Sequence, residues 1–336
     1  MQQPANIIIS RTDSIGDVVL TLPVAAVLKK HFPAIKVAWL GKAYTKPVIN
    51  ACKYVDEFID VEDFYSKPVD VCGEAPQVIL HVFPLASIAK RAKEIGIPLR
   101  IGTTNRLYHW TTCNKLVRLS RKKSDLHEAQ LNLKLLEALG IYENLQIENL
   151  VPLFGLQQLQ ELKSEFRALI DEHKFNVILH PKSQGSAREW GLENFVKLVH
   201  LLDQNRYNIF ISGTPKERGS LQPLFDAVGN LVHDITGKMD LDQFMAFINK
   251  CDALVANSTG PLHIAAALGK HAMGIYPPMR PIHPGRWAPV GKYTTVFVED
   301  KTCTDCSRNT AGCHCMAAIQ PMSIQLALDK AARKLA

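Results

Sequence analysis

Apolar residues recur along the chain in two alternating forms: short continuous runs, and stripes at helical spacing. Residues 7–9 are a strand-length run of isoleucine, and residues 10–16 form a loop. Residues 17–32 predict a helix, with Val18, Val19, Leu22, Ala26 and Val27 near a 3.6-residue period. Pro23 either kinks this helix or marks its true start. Residues 37–40 and 78–82 predict further buried strands, and residues 125–139 an amphipathic helix ended by Gly140.

The pattern starts afresh in the second half. Residues 156–173 predict a polar-faced helix, 176–180 a strand, and 192–202 a helix striped by Leu192, Phe195, Val196, Val199 and Leu202. Strands at 207–212 and 253–256 alternate with helices at 241–249 and 261–268. A proline cluster (Pro277, Pro278, Pro281, Pro284, Pro289) predicts a long irregular loop, and residues 323–335 a terminal helix. Alternating strands and helices imply parallel sheets. The expected architecture is α/β: two Rossmann-like domains with parallel sheets facing across a cleft. The first spans residues 1–155 and the second 156–322, with helix 323–335 packing back on the first.

Ligands of open α/β sheets bind at the carboxyl ends of the strands, so the loops after residues 9, 180, 212 and 257 carry the candidate chemistry. In Arg11-Thr-Asp13-Ser-Ile-Gly16-Asp17, Gly16 permits close backbone approach and Asp17 falls in the first turn of a helix. A cap or dipole partner accounts for Asp17 structurally. Its functional reading is a general base. A helix N-terminus favours the anion, so proton transfer from an alcohol would come late. Asp13 is the competing carboxylate.

Ser258-Thr259-Gly260-Pro261-Leu262-His263 leads into an alanine-rich helix whose first-turn amides suit a diphosphate. Lys182-Ser183-Gln-Gly-Ser-Ala-Arg188 offers cations and hydroxyls to a leaving phosphate, although an ordinary surface loop has the same composition. Glu217, in the loop after residue 212, is placed for a ribose hydroxyl. The chain has no GxGxxG, P-loop, GxSxG or HExxH pattern, which disfavours nicotinamide, kinase, hydrolase and zincin chemistry.

Composition narrows the class. The 336 residues are 47% hydrophobic and 21% charged, enough for two cores and incompatible with disorder. The apolar stretch at 18–28 falls short of the roughly 18 residues that a membrane span needs. With no export signal, a cytoplasmic protein is expected, peripheral on the inner membrane if it meets lipid. The net charge is +7. Residues 86–123 hold ten basic side chains against Glu94 alone, a patch suited to an anionic partner. A solvated surface accounts for it equally well. No nucleic-acid-binding motif surrounds it, so nucleic acid is not an expected partner. Eight cysteines without an export signal predict reduced thiols. Cys303, Cys306, Cys313 and Cys315 are enough ligands for a tetrahedral zinc, the less favoured reading.

Together Arg11…Ile15-Gly16-Asp17, Leu20-Thr-Leu-Pro23, Phe32-Pro33, His180-Pro181…Trp190…Asn194-Phe195 and Ser258-Thr-Gly-Pro-Leu-His263-Ile-Ala-Ala-Ala267 resemble the ADP-heptose:lipopolysaccharide heptosyltransferases of glycosyltransferase family 9. The likeness covers almost the whole chain, and the cysteine-rich tail is also similar. It implies a GT-B enzyme, inverting and without cofactor or catalytic metal, with an acceptor-binding first domain and a nucleotide-sugar-binding second domain. It implies Asp17 as general base. Arg188 stands where the family has a lysine facing the diphosphate, and Ser183 near a phosphate-contacting hydroxyl. Thr259, Gly260 and His263 match the helix-start motif, and Met239 is implied against the adenine. Ser258 departs from the family's sugar-contacting aspartate.

The expected function is transfer of a sugar, heptose by this resemblance, from an ADP-sugar to a lipopolysaccharide-core acceptor or another anionic glycolipid. Lys182 and the amides at Thr259 and Gly260 would assist Arg188. Gly16, Asp13, Arg118, Arg121 and Lys122 would meet the acceptor. The alternative is a non-catalytic nucleotide-sugar-binding or glycolipid-pathway scaffold protein of the same fold.

Overall fold

Strand β1 (Asn6–Ser10) is buried at all five positions, as a central parallel strand covered on both faces must be. In the computed structural model, which describes residues 3–121, 124–280, 282–299 and 314–333, β1 pairs in parallel with β2 (Lys36–Gly41) and β4 (Val78–His81). With β3 (Glu57–Asp60), β5 (Leu99–Thr103) and β6 (Lys115–Val117) they form a six-stranded sheet in the order β3-β2-β1-β4-β5-β6. The second sheet repeats this plan. Its strands are β7 (Phe175–His180), β8 (Tyr207–Ile211), β9 (His233–Asp234), β10 (Ala253–Asn257), β11 (His271–Tyr276) and β12 (Thr294–Val298), in the order β12-β11-β10-β7-β8-β9.

The chain divides into two compact units, Met1–Gln158 and Leu159–Ala336. In each, strand order reverses beside the first strand, between β1 and β4 and between β7 and β10. Such switch points open the crevice in which open α/β sheets hold ligands. The loops after β1, β7 and β10, singled out from sequence, are therefore the loops at these points.

Local differences from the sequence pattern have physical causes. The helix expected at 17–32 is two segments, Ile15–Val19 and Leu22–His31. Thr21 caps the break by donating to the Asp17 carbonyl at 2.8 Å. Pro23 falls in the first turn of the second segment, where its missing N–H costs nothing. The polar-faced helix expected at 156–173 does not form. Only Ser164–Arg167 is helical there, and Leu156 bridges Cys52 in extended conformation. Leu159, Leu162 and Phe166 keep helical spacing and the last two are buried, but the Lys163 amide donates to the Gln243 side-chain oxygen at 2.9 Å instead of to a carbonyl one turn earlier.

The terminal helix Pro321–Ala332 packs on the second unit, against the expectation that it returns to the first. Ile324 and Leu328 enter the core with Leu198 and Val199, and Asp329 pairs with Arg206 at 3.2 Å. The proline-rich stretch holds a helical turn, Pro284–Trp287, and leads into β12. Strand β5 escapes the pattern because Arg100 and Gly102 interrupt it. Gly102 is required there, since a Cβ would lie 2.7 Å from the His109 ring and 2.8 Å from Cys113 Sγ.

Candidate active site

In the first unit the loop after β1 is organised by one cation. Arg11 is 2% exposed, and its guanidinium pairs with Asp17, with Asp13 at 2.7 Å and with Glu128 at 3.4 Å. Burial opposes the charge, but the three carboxylates outweigh burial and hold Arg11 above its ordinary pKa. Ser14 donates to the second Asp17 oxygen. Asp17 is thus fixed by a cation and a hydroxyl, in a helix of only five residues whose dipole is correspondingly small.

Glu128 is shared. Arg121 donates to it at 2.9 Å, and also to Asn132 at 2.9 Å and the Val82 carbonyl at 3.3 Å. Asn132 in turn donates to Thr21 at 3.0 Å. Arg121 is therefore a strut beneath the Asp17 loop. Two guanidiniums face three carboxylates here. Burial and the neighbouring Asp17 anion push the Asp13 carboxyl up to about 7, against the pull of Arg11. Asp13 therefore titrates near neutrality.

The rest of the basic segment is divided. Arg91, Lys93 and Arg100 donate to the carbonyls of Phe64 (3.3 Å), Thr111 (2.9 Å) and Thr112 (2.8 Å), so they tie loops together. Arg106 and Arg118 are exposed. Lys122 lies outside the described residues. His81, at the end of β4, is completely buried, and neither ring nitrogen has a partner among the described residues. Burial, with His109 and Arg100, drives its pKa down to about 3, so it stays neutral.

In the second unit the loop after β7 closes on Glu189, a residue to which the sequence pattern assigned no role. Lys182 pairs with it at 2.5 Å. Ser183 reaches it through its amide at 3.0 Å and its hydroxyl at 3.1 Å. Lys182 is thus a paired cation. Arg188 is half-buried on the same loop. Asn257 straps this loop to β10, accepting from the Trp190 amide at 3.0 Å and donating to the Pro181 carbonyl at 2.7 Å. Gln184 adopts φ 49, an uncommon conformation for a non-glycine residue that clusters at functional loops. It donates to Thr214 in the loop after β8 at 3.0 Å.

Glu217 lies in that loop. Its Oε2 accepts from the Thr214 amide at 2.8 Å and hydroxyl at 2.9 Å, closing a capping box. Oε1 is buried without a partner among the described residues. His180 shares a 2.9 Å hydrogen bond with Ser212, and burial lowers its pKa to about 4. After β10, Thr259 stands at the N-cap of the helix Gly260–Ala267 without a side-chain cap bond. Its hydroxyl is buried without a partner among the described residues. A buried hydroxyl without a partner among the described residues, at a helix start, suits an anion. His263 is buried in the same helix, and Met239 is half-buried just before the helix Leu241–Lys250. Near Ser258, the buried Tyr276 hydroxyl donates to the Trp287 carbonyl at 2.6 Å.

Cys315 is buried, while Cys303, Cys306 and Cys313 lie outside the described residues. Among the described residues no helix is long and apolar enough to cross a membrane, and no group of three His, Cys, Asp or Glu could hold a metal ion.

Two doubly wound units of this kind make a GT-B fold, and solved structures share it over nearly their full length. A glycosyltransferase family 9 protein of Veillonella parvula aligns with a TM-score of 0.78 at 19% identity, covering 99% of each chain. The Escherichia coli ADP-heptose LPS heptosyltransferase II aligns with a TM-score of 0.76 at 16% identity, over 98% of this chain and 99% of that one. In sequence, a Haemophilus influenzae protein named as a candidate glycosyltransferase is 25% identical over 298 residues, 84% of this chain and 86% of the relative. The family model for glycosyltransferase family 9 (heptosyltransferase) matches residues 86–316. The chain belongs to that family, and it is a glycosyltransferase.

Proposed function

We propose that the protein is an inverting, metal-independent heptosyltransferase that moves heptose from ADP-heptose to an acceptor of the lipopolysaccharide core. The observation that carries this reading is the fixed carboxylate of Asp17. It stands at the switch point of the first sheet, held on one side by Arg11 and Ser14. The name of the similar E. coli enzyme supports the donor and the acceptor class.

Asp17 accepts the proton of an acceptor hydroxyl as its oxygen attacks the anomeric carbon from the face opposite the diphosphate. The bond from that carbon to the diphosphate oxygen breaks, and ADP leaves with the electron pair. Arg188 and the donors at Thr259 and Gly260 meet the charge developing on ADP. Ser183, paired into the same loop by Glu189, supports the phosphate side. The buried, unpartnered Oε1 of Glu217 suits a ribose hydroxyl, Met239 the adenine face, and Ser258 and His263 the sugar side of the donor. Gly16, Asp13 and Arg118 border the acceptor, which belongs to an anionic glycolipid at the inner membrane face, so the protein works in the cytoplasm against that surface.

The test is incubation with ADP-heptose and a heptose-accepting lipopolysaccharide core in EDTA, following ADP release and the anomeric configuration of the product by NMR. Release of ADP with inversion is expected. Donor binding without turnover would instead favour a non-catalytic nucleotide-sugar-binding protein. Restoration of activity only by a divalent cation would remove the metal-independent part.

A further inference from the structure

Leu107, at 89%, is the most exposed large apolar side chain among the described residues, and Trp110 is 62% exposed three residues later. One turn joins them, closed by the Trp110 amide donating to the Leu107 carbonyl at 3.1 Å. The Trp110 indole is oriented by its Nε1, which donates to the Thr104 carbonyl at 3.1 Å. Single exposed apolar residues are ordinary, but a leucine and an oriented tryptophan raised on one turn are not a scattered pair.

Their surroundings are basic. Arg106 precedes Leu107 and is exposed. Arg118 is exposed as well, and it follows Val117, whose carbonyl accepts from the Thr104 amide at 3.0 Å. Both cations therefore border the turn, in a segment with a single acid. A leucine, an amphipathic indole and flanking arginines match the interface of an anionic bilayer: the indole sits at headgroup depth and the guanidiniums meet lipid phosphates.

Position on the sheet supplies the functional link. The turn follows β5, and in this parallel sheet the carboxyl end of β5 lies on the same edge as that of β1, two strands away. At the usual strand spacing this is about 10 Å from the loop of Asp17.

We infer that the Leu107–Trp110 turn inserts into an anionic membrane surface and presents the Asp17 edge of the first sheet to it. A glycolipid acceptor would then reach the carboxylate without leaving the bilayer. The inference rests on the glycolipid-acceptor reading above, but its test does not depend on turnover.

The full chain is sedimented with vesicles of phosphatidylethanolamine and phosphatidylglycerol, and with phosphatidylcholine alone, with no donor or acceptor present. The wild type pellets with the anionic vesicles and is released by salt. Exchanging both Leu107→Ser and Trp110→Ser weakens this association by about tenfold or more, the scale of withdrawing one apolar side chain from an apolar phase. Brominated lipids quench wild-type tryptophan fluorescence, and Trp110→Phe removes that quenching while the protein stays bound. The doubly substituted protein keeps its melting temperature and its transfer to a delipidated, water-soluble acceptor. The inference is overturned by absence of vesicle binding, by equal binding of the doubly substituted protein, or by fluorescence indifferent to brominated lipid. Loss of transfer to the soluble acceptor in that folded variant also overturns it, because the pair would then belong to the acceptor pocket. Failure of the wild type to transfer any heptose, with vesicle binding intact, overturns the function proposed above and leaves the membrane contact standing.

Discussion

Arg11 and Asp17 form an ion pair at the carboxyl end of β1, with the guanidinium buried and the carboxylate side chain 18% exposed. The cation is anchored from behind by Glu128, so Asp17 is held in place while one side remains open to solvent. A base fixed in this way needs no reorganisation when an acceptor arrives.

Replacing Asp17 with Asn keeps the shape and removes the proton acceptor. Transfer should fall by about 10²–10⁴, the usual cost of removing a positioned base, while ADP affinity by calorimetry stays near the wild-type value. Unchanged turnover would move the role to Asp13.

Asp13 gives the fold a pH dependence of definite sign. Its carboxyl is raised from 3.8 to about 7 in the folded state, so the folded protein binds this proton more tightly than the unfolded chain. The stability from this group is fully present below about pH 4 and is lost as pH rises through 7. Urea unfolding followed between pH 4 and 8 should show that decline, and Asp13→Asn should flatten it. A variant with an identical slope would assign the decline to other groups.

The loop after β7 contains two cations with different partners. Lys182 is committed to Glu189 at 2.5 Å, so Lys182→Ala should weaken ADP binding less than Arg188→Ala. A hydrogen bond to a charged group contributes about 1.5–3 kcal/mol, which predicts roughly a ten- to hundredfold loss of ADP affinity for Arg188→Ala. Equal losses in the two variants would mean that Lys182 leaves Glu189 when nucleotide binds.

Ser258 is an uncharged residue immediately before the N-cap Thr259. An aspartate at 258 would place a charged acceptor just before the helix start, where the resemblance puts the donor sugar. Ser258→Asp should therefore tighten ADP-heptose relative to ADP. The ratio of the two dissociation constants is the measurement. A ratio that does not move would count against heptose as the donor sugar.

Arg118 and Arg121 separate surface charge from structure. Removing Arg121 deprives Glu128, whose side chain is 1% exposed, of a charged partner, at a cost of about 3 kcal/mol. Arg118→Glu lies on the surface and should alter stability by less than about 0.5 kcal/mol while weakening association with anionic vesicles. Thermal melts and co-sedimentation of the two variants distinguish these effects.

The strands and the loops that matter were legible in the sequence. The apolar runs at 7–9, 176–180 and 253–256 read as strands, and the structure makes each a central parallel strand. Asp17, Arg188 and Thr259 follow such strands, on the edge where open α/β sheets hold ligands. Short or interrupted strands escaped: β5 carries Arg100 and Gly102, and β6 has three residues. Arg11 was visible as a basic residue next to an apolar run and close to two aspartates. Its partner Glu128 is 117 residues away, and no local pattern reports such a contact.

By itself the sequence determined two α/β units and the position of their candidate loops, because hydrophobic period and turn chemistry act over a few residues. Only the tertiary structure decided which charges are free to act. It turned Arg121 inward onto Glu128, paired Lys182 with Glu189, raised the Asp13 carboxyl towards neutrality and left Leu107 and Trp110 in solvent. Those outcomes depend on distances between groups far apart in the chain and on how much water each one keeps, and a one-dimensional pattern holds neither.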